Sequence, residues 1–167
     1  GFIQREPNPG KTSSYRTDAR VAYDADAVYV ALRMYDDHPD RIISRLTRRD
    51  DLSSGSDRVG VYFDSYRDRR TAFGFLTTPR GAQADVQLSD DVREDFTWDA
   101  VWEVETRVDS LGWTAEFRIP LSLLRYGGSR AGALICGRQF LSNHGRRGAV
   151  SVWSATAPPL GTGLCRL

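Results

Sequence analysis

The sequence predicts an all-β domain: an antiparallel β-sandwich, jelly-roll-like, with one or two short helical turns. Three observations predict it. Apolar and polar residues alternate with a period of two in several segments, as a strand with one face in a core requires. Segments rich in Val, Ile, Tyr, Phe and Trp recur at roughly 8–15 residue spacing, with turn residues between them. The helical period persists for no more than a turn or two at Pro39–Leu46 and Leu121–Arg125.

The elements follow in order. Arg20–Tyr23 reads as a strand, and Asp24–Asp26 has turn composition. Val28–Tyr35 is apolar on nearly every residue, so it is expected to be a central strand buried on both faces. The two should form a hairpin. Arg48–Asp57 is a charged loop. In Arg58–Phe63, Val59, Val61 and Phe63 alternate with Arg58, Gly60 and Tyr62, which predicts one core-facing side. Asp64–Arg70 is a polar turn, Thr71–Thr77 a strand ended by Pro79 and Gly81, Ala82–Leu88 a weaker strand, and Ser89–Asp95 an acidic loop. Val101–Val108 and Trp113–Ile119 form the clearest pair, joined by Asp109–Gly112. Trp113, Ala115, Phe117 and Ile119 share one face. Pro120 stops that strand. Ala133–Leu141, Ala149–Ser154 and a short piece near Leu164 complete nine or ten strands.

Composition bounds the function. The 167 residues fit a single domain, 1–167, and a chain of this size buries roughly 70% of its unfolded surface. Lys plus Arg total 23 and Asp plus Glu 22, a net charge of +1. That balance argues against nucleic acid, whose partners are usually clearly basic. No apolar run approaches the ~20 residues of a membrane span. Gly1–Pro7 has no signal-peptide pattern, so the chain is expected to be cytosolic, already processed or a cut piece. Lys11 is the sole lysine. Arginine-rich codon usage explains this, and so does a surface lined by guanidinium groups for hydroxyls, carboxylates or phosphates. Cys136 and Cys165 sit in apolar settings, as buried thiols or one disulfide.

The order of the pieces resembles the family 9 carbohydrate-binding module superfamily, above all the family-9-like domain at the front of bacterial outer-membrane proteins. The residues that carry the resemblance are Arg16-Thr17-Asp18, Tyr23–Val30, Asp36, Pro39, Arg49-Asp50, Asp57–Asp64, Asp68–Phe73, Trp98–Val104, and Gly112–Pro120 with Leu124-Arg125-Tyr126. Nearly the whole chain is covered. Family members carry an additional front segment with an Asp-Gly and a Trp, so a first strand is expected to be missing or supplied otherwise. The Asn143–Ala149 region also lacks the Arg and Glu spacing of the nearest relatives. The resemblance implies a non-catalytic module that binds a mono- or oligosaccharide, forms part of a larger polypeptide, and works in the periplasm, at the cell surface or after secretion.

Sugar modules of this kind stack pyranose C–H faces on aromatic rings and fix the hydroxyls with polar groups. Trp113 and Trp102 read as core. The late stacking tryptophan of the family maps onto Trp153, with Trp98 as a second candidate. Arg138, Gln139, Asn143 and Arg147 are candidate polar partners, but Arg138 and Gln139 point to opposite faces of one strand. The resemblance requires no cofactor and allows calcium, for which Asp50, Asp51, Asp57, Asp64 and Asp68 are candidates. Solvated turns and Arg–Asp pairs are the simpler use of those aspartates. His38 and His144 lack a neighbouring nucleophile. Glu103 and Glu116 lie on adjacent strands, where they fit either paired glycosidase carboxylates or a cross-strand Glu–Arg pair. The alternatives to sugar binding are an interaction or assembly domain that keeps the fold, and, more remotely, a glycoside hydrolase.

Overall fold

A computed structural model describes residues 2–66, 68, 70–90, 93–124, 137–144 and 149–154. The strands are β1 (Ile3–Glu6), β2 (Thr17–Tyr23), β3 (Ala27–Tyr35), β4 (Arg58–Asp64), β5 (Ala72–Thr77), β6 (Gln83–Ser89), β7 (Arg93–Asp95), β8 (Glu103–Asp109), β9 (Gly112–Pro120), β10 (Gly137–His144) and β11 (Ala149–Ser154). Single 3-10 turns occur at Pro39–Arg41 and Leu121–Leu123.

The strands form two antiparallel sheets. One has seven strands in the order β1-β11-β10-β4-β5-β6-β7, and the other has four in the order β2-β3-β9-β8. The predicted sandwich is what the chain adopts. Its main core takes Val28, Val30, Leu32 and Met34 from β3 and Trp113, Ala115, Phe117 and Ile119 from β9. Facing them are Val59, Val61 and Phe63 of β4 and Phe73 and Phe75 of β5. Each fully buried aliphatic or Phe side chain contributes roughly 1.5–3 kcal/mol relative to exposure.

The β8–β9 hairpin closes on Ser110-Leu111, with Asp109 opposite Gly112. Gly112 has φ +135°, and a Cβ there would collide with the backbone oxygen of Met34. Only glycine lets β9 pass β3 this closely.

Several expectations are corrected. β3 is central, but it is buried on one face only; Tyr29, Ala31, Arg33 and Tyr35 are half-buried on the outside of the small sheet. The opposite error holds for β4, which is buried on both faces. Tyr62, Ala72, Leu76, Ala84, Val86 and Leu88 form a second apolar cluster outside the large sheet, and Leu52 and Val150 pack against it. Leu52 comes from the 42–57 segment, which folds back across that face and binds Gln83 O through Asp50 N at 3.0 Å. The expected acidic loop at Ser89–Asp95 ends in a short edge strand, β7, paired with β6. Pro39–Leu46 keeps only its first three residues as a 3-10 turn. The N-terminal β1 has no counterpart in the sequence reading; it pairs with β11. Residues 133–136 and 155–167, which include both cysteines and the expected last strand, lie outside the described residues.

Candidate functional site

The segment between β7 and β8 crosses from the large sheet to the small one and carries both Trp98 and Trp102. Trp102 is buried, as expected, and stacks on Phe117 with ring centroids 5.7 Å apart and planes at 11°. Its other side meets Phe75 edge-on at 5.4 Å. Trp98 is half-buried and packs against Phe75 at 5.7 Å and Phe73 at 5.0 Å. Tyr66, itself exposed, lies 6.3 Å from Phe73. An aromatic seam thus runs from Phe117 in the core to Trp98 and Tyr66 at the surface. Offset and edge-to-face ring pairs each add about 0.5–1.5 kcal/mol beyond their burial.

A buried carboxylate holds this crossover in place. Asp85, fully buried on β6, accepts hydrogen bonds from Trp102 Nε1 at 2.7 Å, Ala100 N at 2.8 Å and Arg49 Nη2 at 2.6 Å. Arg49 also donates to Ala100 O at 2.6 Å and Gln83 Oε1 at 2.8 Å, and lies 3.3 Å from Asp99. Gln83 in turn donates to Trp102 O at 3.0 Å. Every donor that converges on Asp85 is fixed by a second bond or by packing, so Trp98 sits on a rigid base. Sequence reasoning missed Asp85 and assigned Arg49-Asp50 no role beyond the resemblance and the calcium set.

Backbone register locates the strand-borne candidates. Arg138 lies opposite Phe63, and Gln139 opposite Tyr62 and Ser154. Asn143 lies opposite Arg58 and Val150. Trp153 lies opposite Phe140, Phe140 opposite Val61, and Val61 opposite Phe75. Directly paired residues share a sheet face. Trp153 and Arg138 therefore occupy register rows of the face that carries Val61, Phe63 and Phe75. Gln139 and Asn143 occupy rows of the opposite face. Arg147 lies outside the described residues.

The five aspartates considered for calcium do not converge. Among the described residues no three His, Cys, Asp or Glu side chains gather to hold a metal. Asp50 accepts from Asp85 N at 3.2 Å, and Asp51 from Ser53 N and Oγ. Asp68 accepts from Arg70 N and from Thr71 N and Oγ1. Asp57 and Asp64 are buried at the two ends of β4.

An open groove of about 700 Å³ crosses the outer face of the small sheet. Tyr29, Arg118 and Glu103 line one side, and Arg20, Glu116 and Glu105 the other. Glu103 pairs with Arg118 at 3.2 Å, the cross-strand arrangement that competes with a catalytic role. Glu116 instead faces Glu105.

Fold and site together define a β-sandwich domain with an aromatic surface and a rigid polar support behind it. The model of the family described as "Carbohydrate family 9 binding domain-like" matches residues 5–158. The chain belongs to that family, which is one of binding domains and not of catalysts. Solved structures share the fold. A family 9 carbohydrate binding module from Caldicellulosiruptor kristjanssonii, in complex with glucose, aligns with TM-score 0.58 at 18% identity, over 86% of this chain and 69% of its own. A second structure of such a module from that organism, with cellotriose, gives TM-score 0.57 at 16% identity, over 87% and 67%. A protein assigned to carbohydrate binding from Bacteroides uniformis ATCC 8492 gives TM-score 0.71 at 12% identity, over 99% and 83%. No curated protein has significant sequence similarity to the chain.

Proposed function

We propose that this domain binds a mono- or oligosaccharide by stacking pyranose rings on Trp98 and Trp153, with Arg138 fixing hydroxyls. The observation that carries the proposal is the register row Trp153–Phe140–Val61–Phe75, because Phe75 is the residue on which Trp98 packs. Both tryptophans are thereby associated with the core-facing side of the large sheet, on which Val61 and Phe75 themselves are fully buried, and Arg138 lies on a row of that same side. Gln139 and Asn143 belong to the opposite face and are not assigned to this site. The glucose and cellotriose bound by the Caldicellulosiruptor modules support neutral hexoses and short β-glucans as the ligand class.

A ring face packed on indole, with a guanidinium forking to two hydroxyls, needs neither a cofactor nor a nucleophile. The natural setting of such a module is extracytoplasmic, as part of a larger polypeptide that it tethers to glycan. Calorimetric titration with glucose, cello-oligosaccharides and xylo-oligosaccharides tests the reading. Binding should be detectable and should be lost in Trp153→Ala. An absence of binding to any of them, or unchanged binding in Trp153→Ala, overturns the site as drawn.

A further inference from the structure

We propose that the free edge of β2 pairs with β2 of a second copy, joining two small sheets into one eight-stranded sheet across a two-fold axis. Four strands end the two sheets, and three of them are guarded. β1 is four residues long with an irregular register. β7 has three charged residues. β8 carries four charged residues in seven, Glu103, Glu105, Arg107 and Asp109. Short, charged or covered edges are how sheets avoid unwanted pairing. β2 is seven residues long and has no such cover among the described residues.

The hydrogen-bond phase of β2 is fixed at both ends. Tyr35 N donates to Arg16 O at 3.0 Å and Asp24 N to Ala27 O at 3.1 Å. Bonded pairs alternate along an antiparallel ladder. Thr17, Ala19, Val21 and Tyr23 therefore turn their N–H and C=O groups away from β3, toward the open edge. The side chains of Val21 and Tyr23 lie on the core-facing row, yet they are 36% and 65% exposed.

Charge selects the occupant. With Ala19 on the two-fold axis, Asp18 of each copy lies opposite Arg20 of the other, twice. Moving the axis to Asp18 or Arg20 sets like charges against each other. Arg20 makes no contact ion pair among the described residues and interacts with its own chain's Asp18 only at longer range, so Asp18 of a second copy gives it a direct partner.

Light scattering over a concentration series, with the 167-residue chain, should show a monomer–dimer equilibrium. Arg20→Asp and Asp18→Arg should each weaken dimerisation at least tenfold, and an equimolar mixture of the two should restore it as a heterodimer. That mixture guards against misfolding, since Asp18 also binds Arg16 and Tyr35. Ala19→Cys, in a chain with Cys136 and Cys165 changed to Ser, should crosslink to itself on oxidation. A monomer at every concentration overturns the proposal. So does a dimer indifferent to both charge reversals, or one in which Ala19→Cys forms no crosslink, which would mean that another surface is used.

Discussion

Trp102 donates its indole N–H to Asp85 at 2.7 Å, and the carboxylate that receives it is fully buried. The bond ties the crossover between the sheets to β6, across the interior of the sandwich. It also fixes the segment that presents Trp98. Removing Asp85 leaves the buried Trp102 indole and Ala100 amide without their acceptor, while Arg49 keeps Ala100 O, Gln83 and Asp99. A buried ion pair adds little net stability compared with apolar packing, but breaking one from a single side is costly. Asp85→Ala should therefore lower unfolding free energy by roughly 2–4 kcal/mol, about 1–3 for each buried donor left unpaired, read as a reduced urea midpoint. Asp85→Asn keeps the shape but offers an NH2 group to a site full of donors, so it should also destabilise.

Gly112→Ala should be the most damaging small substitution in the β8–β9 hairpin. The position has φ +135°, and the new methyl would meet the Met34 carbonyl oxygen, which is backbone and cannot swing aside. The expected loss is roughly 3 kcal/mol or more. Leu111→Ala, an exposed neighbour, should change stability by less than about 0.5 kcal/mol. Thermal melts of the two variants side by side check this contrast.

Acid should lower the stability of the domain through its loop and edge aspartates. Asp109 is held below the usual carboxylate range first by its hydrogen bonds from Arg33 at 2.6 and 2.7 Å, then by Leu111 N. Asp24 is lowered first by the backbone amides of Asp26 and Ala27, and Asp95 first by the Thr97 hydroxyl. A carboxylate with a depressed folded pKa contributes stability that is fully present above its unfolded value of about 3.9. That contribution is lost as pH falls through the lower folded value. The melting temperature should thus be flat near neutrality, with respect to these groups, and should fall below about pH 4. Asp109→Asn should flatten that acid limb, and melting curves from neutral pH down to about pH 3 test it. An acid limb as steep as that of the parent would remove Asp109 from this account.

Particular residues show how far the sequence could be read. The β8–β9 and β2–β3 hairpins were legible because Trp113, Ala115, Phe117 and Ile119 alternate cleanly and because Asp24–Asp26 and Asp109–Gly112 are strong turns. The faces of the large sheet were not. In Gln83–Ser89 the apolar residues Ala84, Val86 and Leu88 go to the outer cluster, while the polar row with Asp85 turns inward. Alternation separates two faces but does not say which is interior when both are covered. Tyr62 was misjudged for the same reason, since its cover comes from distant Leu52. β7 was hidden because its three charged residues carry no apolar signal and depend on β6 for pairing. Trp98 was legible as a candidate but not as a packed one, because its neighbours Phe73 and Phe75 are distant in sequence.

That packing shapes the test of Trp98 as a sugar platform. Trp98→Ala removes contacts to Phe73 and Phe75, so it should cost stability as well as affinity, roughly 2–4 kcal/mol in unfolding for a half-buried aromatic. Lost binding in that variant alone does not separate the two roles. Trp98→Phe keeps a ring against Phe75 and reduces only the stacking surface. It should melt within a few degrees of the parent, yet bind cello-oligosaccharide about tenfold more weakly, equivalent to about 1.4 kcal/mol. Tyr66→Ala, at the exposed end of the seam, should leave the melting temperature nearly unchanged. Parent affinity in Trp98→Phe with a clear drop in melting temperature would make Trp98 a packing residue and leave Trp153 as the stacking face.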